Sequence, residues 1–228
     1  MRIAIVGGTG DQGFGLALRL TRAGETVVIG SRDADRGTQA ADRARERLGG
    51  EGSITGTSNE EAVRVAEAVL LTVPFAGQAE ICRSIAEHVP EGVPFCDCTS
   101  PLATAVGGRA WQVLRPWHGS AAEQAKEILP KHVRIVSGFH TVAAEALEDL
   151  DRDLDGDVLL AGADAEAKAT IGGLAERIPN LRWVDAGVLS AARLLEPLTA
   201  ILVNVNRRYK VRDAGFRITG LPGSGTAE

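Results

Sequence analysis

Arg2-Ile3-Ala4-Ile5-Val6-Gly7-Gly8-Thr9-Gly10-Asp11-Gln12-Gly13 is the stretch that sets the fold. An apolar run is cut by glycines, and Leu16, Leu18, Leu20 and Ala23 follow at once, giving a strand, a turn and a helix that stops at Gly24. Between strand and helix stands Gly8-Thr9-Gly10-Asp11-Gln12-Gly13, the GxGxxG spacing of a dinucleotide-binding turn. Gly8 is expected to make the tight turn, Gly10 to let the backbone approach a pyrophosphate, and Gly13 to let helix and strand pack closely. The free N–H groups at the helix start then face the anion.

Downstream, short β-branched runs alternate with segments of helical period, the pattern of βαβ units around a parallel sheet. Further strands are expected at 26–30, 53–56, 68–73, 93–98, 133–137, 157–161 and near 182–184, and helices at 38–48 and 164–177. Ser120-Ala-Ala-Glu123 has the spacing of a capping box, so a helix should begin at Ala121. A long last helix from about Leu189 carries Leu194, Leu198, Ile201, Leu202 and Val205 as a stripe expected to be buried, with Pro197 as its kink or its true start. The tail Gly220–Glu228 has no packing signal.

Composition narrows the classes. The 228 residues are 44% hydrophobic and 24% charged, which excludes disorder, collagen and coiled coil. A balance of 25 Lys and Arg against 30 Asp and Glu argues against a protein that coats nucleic acid or an anionic membrane. Cys82, Cys96 and Cys98 lack the number and spacing of a disulfide framework or a redox or zinc pair, and no apolar stretch is long enough to span a bilayer. The expectation is a cytoplasmic protein with reduced thiols.

The second strand selects the nicotinamide cofactor. An acidic residue about 20 positions past the glycines would hold a ribose 2′-hydroxyl. The sequence has Ser31-Arg32 there, with Arg36 one turn later, a donor set suited to a 2′-phosphate and hence to NADP(H). Leu71-Thr72-Val73-Pro74-Phe75 should border the ligand crevice, with Pro74 turning the chain out of the sheet.

Taken with Phe139-His-Thr-Val142, Asp185-Ala-Gly187, Leu189-Ser190, Arg193-Leu194 and Glu196, these motifs make the chain resemble the NADPH-dependent coenzyme F420 reductases over nearly its whole length. The resemblance implies an α/β fold: a Rossmann-type doubly wound parallel sheet over residues 1–140 and a smaller C-terminal α/β domain over 141–228. It also implies a homodimer and direct hydride transfer between nicotinamide C4 and C5 of the deazaflavin. By the same resemblance Thr9, Gly10, Asp11 and Gln12 would hold the pyrophosphate, and Ser31, Arg32 and Arg36 the 2′-phosphate. Phe75, Ala79 and Leu102 would border the adenine and nicotinamide halves, and His140, Thr141, Val142 and Ala144 would lie near the reacting rings. Gln12 stands where the archaeal pattern has an apolar residue.

Hydride transfer asks the protein for alignment, exclusion of water and electrostatic tuning, with no nucleophile. His140 is a candidate donor to the reduced deazaflavin, or else a hydrogen-bonded histidine at a strand end. Arg193, Arg207, Arg208, Lys210, Arg212 and Arg217, against only Glu196 and Asp213, make the segment 187–220 a basic island that could attract the phosphate and glutamate tail of F420 or serve as a dimer contact. The segment Asp151-Arg-Asp153-Leu-Asp155-Gly156 copies the start of a calcium loop, but its twelfth position is Gly162, and the four histidines are too scattered for a metal site. The alternatives are an NADP-dependent imine or ketone reductase, for which His140 is the evident proton donor, and a non-catalytic NADP sensor.

Overall fold

In the computed structural model, which describes residues 1–221, the first apolar run is strand β1 (Arg2–Val6), hydrogen-bonded on both sides. All but two residues of the Gly220–Glu228 tail lie outside the described residues. Around β1 stand β2 (Thr26–Ser31), β3 (Ser53–Ser58), β4 (Ala68–Leu71), β5 (Pro94–Asp97), β6 (Arg134–Ser137), β7 (Gly156–Gly162) and β8 (Leu181–Asp185). Their spatial order is 3-2-1-4-5-6-7-8. The first six are parallel, β7 runs antiparallel to β6, and β8 is parallel to β7. The order 3-2-1-4-5-6 is that of the doubly wound sheet, whose ligand crevice opens at the carboxyl ends of β1 and its neighbours β2 and β4.

Both faces of the inner strands are covered, which is why β1, β4 and β7 read as largely continuous apolar runs while the edge strand β3 does not. Helices α1 (Asp11–Arg22), α2 (Ala34–Arg47), α6 (Ala144–Glu148) and α7 (Ala165–Glu176) contribute to one layer, where Ile3 and Ile5 meet Leu16, Ala40, Leu147 and Ile171. Helices α3 (Asn59–Arg64), α4 (Phe75–Ile85), α5 (Ala121–Ile128) and α8 (Ala192–Leu195) contribute to the other, where Ala4 and Val6 meet Val63, Ile81, Ala122 and Ala192. The side chains of β1 thus alternate between two cores, as strand geometry requires.

The helix starts follow local chemistry. Ser120 Oγ accepts from Glu123 N at 3.1 Å and donates to Glu123 Oε2 at 2.8 Å, so the expected cap at Ala121 is present. Asp33 and Asp164 cap α2 and α7 by accepting from backbone N–H groups. Helices α3, α4 and α6 are not among the expected elements; α3 and α6 have only six and five residues, too few to show a helical period.

The last helix starts anew at Pro197, as expected, but its apolar stripe departs from expectation. It is broken into a 3₁₀ turn (Leu189–Ala191), α8 and α9 (Leu198–Tyr209), with Pro197 at the start of α9. Proline has no N–H to give, so it fits a first helical turn and not a helix interior. The stripe is not buried as a unit: Leu202 is buried, while Leu194 is 75% and Ile201 52% exposed. The break turns α9 so that Leu202, Val203 and Asn206 line a cavity and Ile201 stays half in solvent.

A buried cation fixes the C-terminal half against α1. Arg19 is 6% exposed, and its guanidinium donates to the carbonyls of Ala146 (2.9 Å), Leu147 (3.0 Å), Arg152 (2.9 Å) and Asp149. Four carbonyls satisfied by one side chain hold α6 and the loop after it in place.

Candidate functional site

The glycine turn behaves as its spacing implies, with one change of role. Gly7, not Gly8, takes the left-handed conformation, with φ of +75°. Gly8 instead donates from N to Ile5 O and Gly30 O, both at 3.1 Å. A Cβ on Gly13 would lie 2.7 Å from Gly8 Cα and collide with Thr72 Oγ1, so the close helix–strand packing assigned to Gly13 is seen. At Gly10 an added Cβ would meet nothing nearer than Gly7 O, at 3.7 Å. Gly10 is also the N-cap of α1 and supplies no side chain, so backbone N–H groups face the crevice bare.

Two cavities meet at this turn. The first, about 440 Å³, is lined by Thr9, Ser31, Arg32 and Arg36 among others, and the second, about 480 Å³, by Asp11, Gln12, Leu102, His140, Thr141, Val142 and Ala144. Gly10, Thr72, Val73 and Pro74 border both. Together they form a trough across the switch point of the sheet. The predicted residues therefore assemble, apart from Phe75 and Ala79: both are half-buried on α4 and line neither cavity, whereas Ala76, Gly77, Glu80 and Ile81 of that helix line the first. The helical period decides this, because α4 begins at Phe75 and turns that side chain and the one four residues later away from the crevice.

Ser31 is 5% exposed at the end of β2, and Arg32 and Arg36 are exposed at the rim. An acid does follow, Asp33, but its carboxylate accepts from Asp35 N (2.9 Å) and Arg36 N (3.4 Å) as the cap of α2. It is committed to the helix, and the guanidiniums are left to meet an anion.

In the second cavity Gln12 Nε2 donates to Phe139 O at 2.9 Å, so this side chain ties α1 to the turn after β6. Phe139 is buried there with φ of +64°, a strained conformation for an aromatic residue. His140 is 6% exposed; its Nε2 pairs with Ser137 Oγ at 2.8 Å and its Nδ1 with Ser100 Oγ at 3.4 Å. Burial pushes its pKa down to about 4, opposed only by a backbone hydrogen bond at Cys98, so the ring is neutral at pH 7. The Thr141 hydroxyl is also committed, donating to Asp157 O at 3.0 Å.

Several lining residues escape sequence reasoning. Thr199 Oγ1 donates to His140 O at 2.8 Å and lies 2.7 Å from Ser100 Oγ, joining α9 to the loop after β5. Asn206 also lines the second cavity, and Asn59 lines the first. Leu71-Thr-Val-Pro74 signals a crevice wall, but isolated Ser, Thr and Asn carry no signal of their own. Of the basic island, Arg193 pairs with Glu123 and Arg217 with Asp155, both at 2.8 Å, and Arg207 stacks on Trp111 at 4.2 Å. Arg212 is the member of the island that reaches the cavity.

Behind the site two acids are buried together. Burial raises Asp97 to about 6 against hydrogen bonds from Thr99 and Gln78, and raises Glu196 to about 8 against backbone N–H donors at Ala121 and Ala122. They join β5, α4, α5 and the end of α8 beneath the crevice.

The arrangement fits a dinucleotide: a bare helix N-terminus where backbone can approach a pyrophosphate, a cationic rim for a phosphate, and a second cavity for a reacting ring. Comparison with known proteins agrees. A family model described as NADP oxidoreductase, coenzyme F420-dependent, matches residues 2–101. The chain is 41% identical over 224 residues to the F420-dependent NADP reductase of Methanothermobacter thermautotrophicus, covering 97% of this chain and 96% of that protein. It is 39% identical to the enzyme of the same name from Methanocaldococcus jannaschii, covering 97% and 99%. A crystal structure from Arthrobacter sp. FB24, provisionally described as an F420-dependent NADP reductase, superposes with a TM-score of 0.81 at 24% identity over 96% of this chain and 99% of that one.

Proposed function

The chain belongs to the family of F420-dependent NADP reductases, and from that premise we propose that it is an oxidoreductase moving a hydride between NADP(H) and coenzyme F420. The observation that carries this reading into the structure is the pair of cavities meeting at Gly10 and Thr72-Val73-Pro74, which offers one continuous trough for two ligands.

In this reading the adenosine half lies over Ser31, Arg32 and Arg36, the pyrophosphate at Thr9 to Gln12, and the nicotinamide beside Leu102. The chain divides functionally at residue 140: the nucleotide is held by 1–140, and 141–228 closes the second cavity with Thr141, Val142, Ala144 and the inner side of α9. The cofactors supply the chemistry, a direct transfer between nicotinamide C4 and deazaflavin C5. The protein aligns the two rings and keeps water out.

His140 acts here as a neutral pillar. Both ring nitrogens are engaged by serines, and its carbonyl accepts from Thr199, so it sets the shape of the cavity floor. The same facts weigh against an imine or ketone reductase, since a histidine held neutral near pH 7 is a poor proton donor.

Among the described residues no helix is long and apolar enough to cross a membrane. We place the protein in the cytoplasm as a homodimer. Support for the dimer comes from Leu194 and Ile201, which stand exposed on consecutive helices.

The experiment is to mix the protein with NADPH deuterated at C4 and oxidised F420. Bleaching of the deazaflavin with deuterium retained at C5 is expected, and NADH should be a poor substitute. Deuterium lost to water would refute direct transfer, and binding of NADPH without bleaching would point to the sensor reading.

A further inference from the structure

Asn59 is the first residue of α3 and is 1% exposed. Its Oδ1 accepts from Gly7 N at 3.2 Å, which fixes the orientation of the side-chain amide, because only the oxygen can accept from a backbone N–H. The opposite end is thereby settled as a donor. Nδ2 is buried, and it has no hydrogen-bond acceptor among the described residues. A buried amide donor without a partner is costly and is seldom retained without a use.

The position of the residue suggests that use. Asn59 lines the first cavity together with Gly7, Ser31 and Arg32. It packs directly on the strand residue before Ser31: a Cβ on Gly30 would lie 2.8 Å from Asn59 Oδ1 and 3.2 Å from its Cα. The side chain is therefore wedged between the glycine turn and the end of β2, where a bound dinucleotide would bring its adenosine ribose.

We propose that Asn59 is a further binding residue for the dinucleotide, donating from Nδ2 to an oxygen of the adenosine ribose while its Oδ1 holds the glycine turn. It thereby couples the shape of the turn to occupancy of the adenosine subsite. Its role differs from that of Arg32 and Arg36: a bond to the ribose is common to NADPH and NADH, so Asn59 adds affinity without choosing between them. The inference rests on the nucleotide reading above.

The test uses the full chain labelled with ¹⁵N, with the Asn59 side-chain amide assigned by its loss in Asn59→Asp. Titration with adenosine 2′,5′-bisphosphate should move that resonance, and nicotinamide mononucleotide should not. In parallel, Asn59→Ser should weaken NADPH and NADH together, each about tenfold. A resonance that stays still at calorimetric saturation, a response to the mononucleotide instead, or unchanged affinities in Asn59→Ser would each overturn the assignment. Failure of the unaltered protein to bind NADPH at all would refute the nucleotide reading itself, so the two failures are distinguishable.

Discussion

Gly10 and Gly13 lie three residues apart in one motif, yet the structure separates what they do, and alanine at each should separate fold from binding. Gly10 has φ of −83° and ψ of 163°, a conformation open to any residue, and its added Cβ would touch nothing closer than 3.7 Å. Gly10→Ala should therefore keep the melting temperature within about 1 °C of the parent or raise it slightly, since alanine restricts the unfolded chain. In the proposed placement of NADPH, the methyl would project from the surface that approaches the pyrophosphate. Displacing that anion from two backbone donors, at about 1.5 kcal/mol for each charge-assisted bond, amounts to about 3 kcal/mol, or roughly a hundredfold in NADPH affinity. Gly13→Ala has the opposite profile. Its methyl would press on Gly8 Cα at 2.7 Å, so overpacking of about 1–3 kcal/mol acts against about 1 kcal/mol of helix propensity. A net loss near 1 kcal/mol lowers the melting temperature by about 3 °C in a chain of this size. Thermal melts with and without NADPH, together with titration calorimetry, read both quantities. Gly10→Ala binding NADPH as tightly as the parent would refute the placement of the pyrophosphate.

Arg32→Ala combined with Arg36→Ala should weaken NADPH far more than NADH, with the difference shrinking as salt is raised because both groups are at the exposed rim; equal losses in direct binding would sink the 2′-phosphate assignment. Arg19→Met should lower the melting temperature by more than about 5 °C, since four carbonyls lose their donor; an unchanged melt would show that α6 is held by apolar packing alone. His140, depressed to about 4, binds its proton less readily folded than unfolded, so its contribution to stability is present above pH 6.5 and lost as pH falls toward 4. The stability difference between the parent and His140→Asn should accordingly shrink by on the order of 1.5 kcal/mol between pH 6.5 and 5 in denaturant titrations, and a constant difference would contradict a neutral buried ring. Leu194→Glu with Ile201→Glu should yield a monomer by sedimentation if these exposed side chains cover each other across a homodimer, and a dimer unaffected by both changes would place the contact elsewhere.

By itself the sequence determined the βαβ core, the glycine turn and the Ser31-Arg32-Arg36 group at the end of β2, because those depend on local rules. A glycine that must tolerate close approach, a strand buried on both faces and a serine that caps a helix are each written in a few adjacent residues. Hence β1, α1, the cap at Ser120 and the Ser31-Arg32-Arg36 cluster are legible before any coordinates. Tertiary structure decided what depends on partners distant in the chain. Arg19 looks like an ordinary helix residue until four carbonyls from residues 146–152 surround it, and Asn59 is anonymous until Gly7 takes its oxygen and leaves its nitrogen without an acceptor. His140 could have been a charged donor or a buried neutral ring, and the choice came from burial between two serines. The apolar residues of the last helix show the limit most plainly: their period announces a helix, but which of them meet a core depends on how Pro197 redirects the chain, and a 3.6-residue repeat carries no record of that.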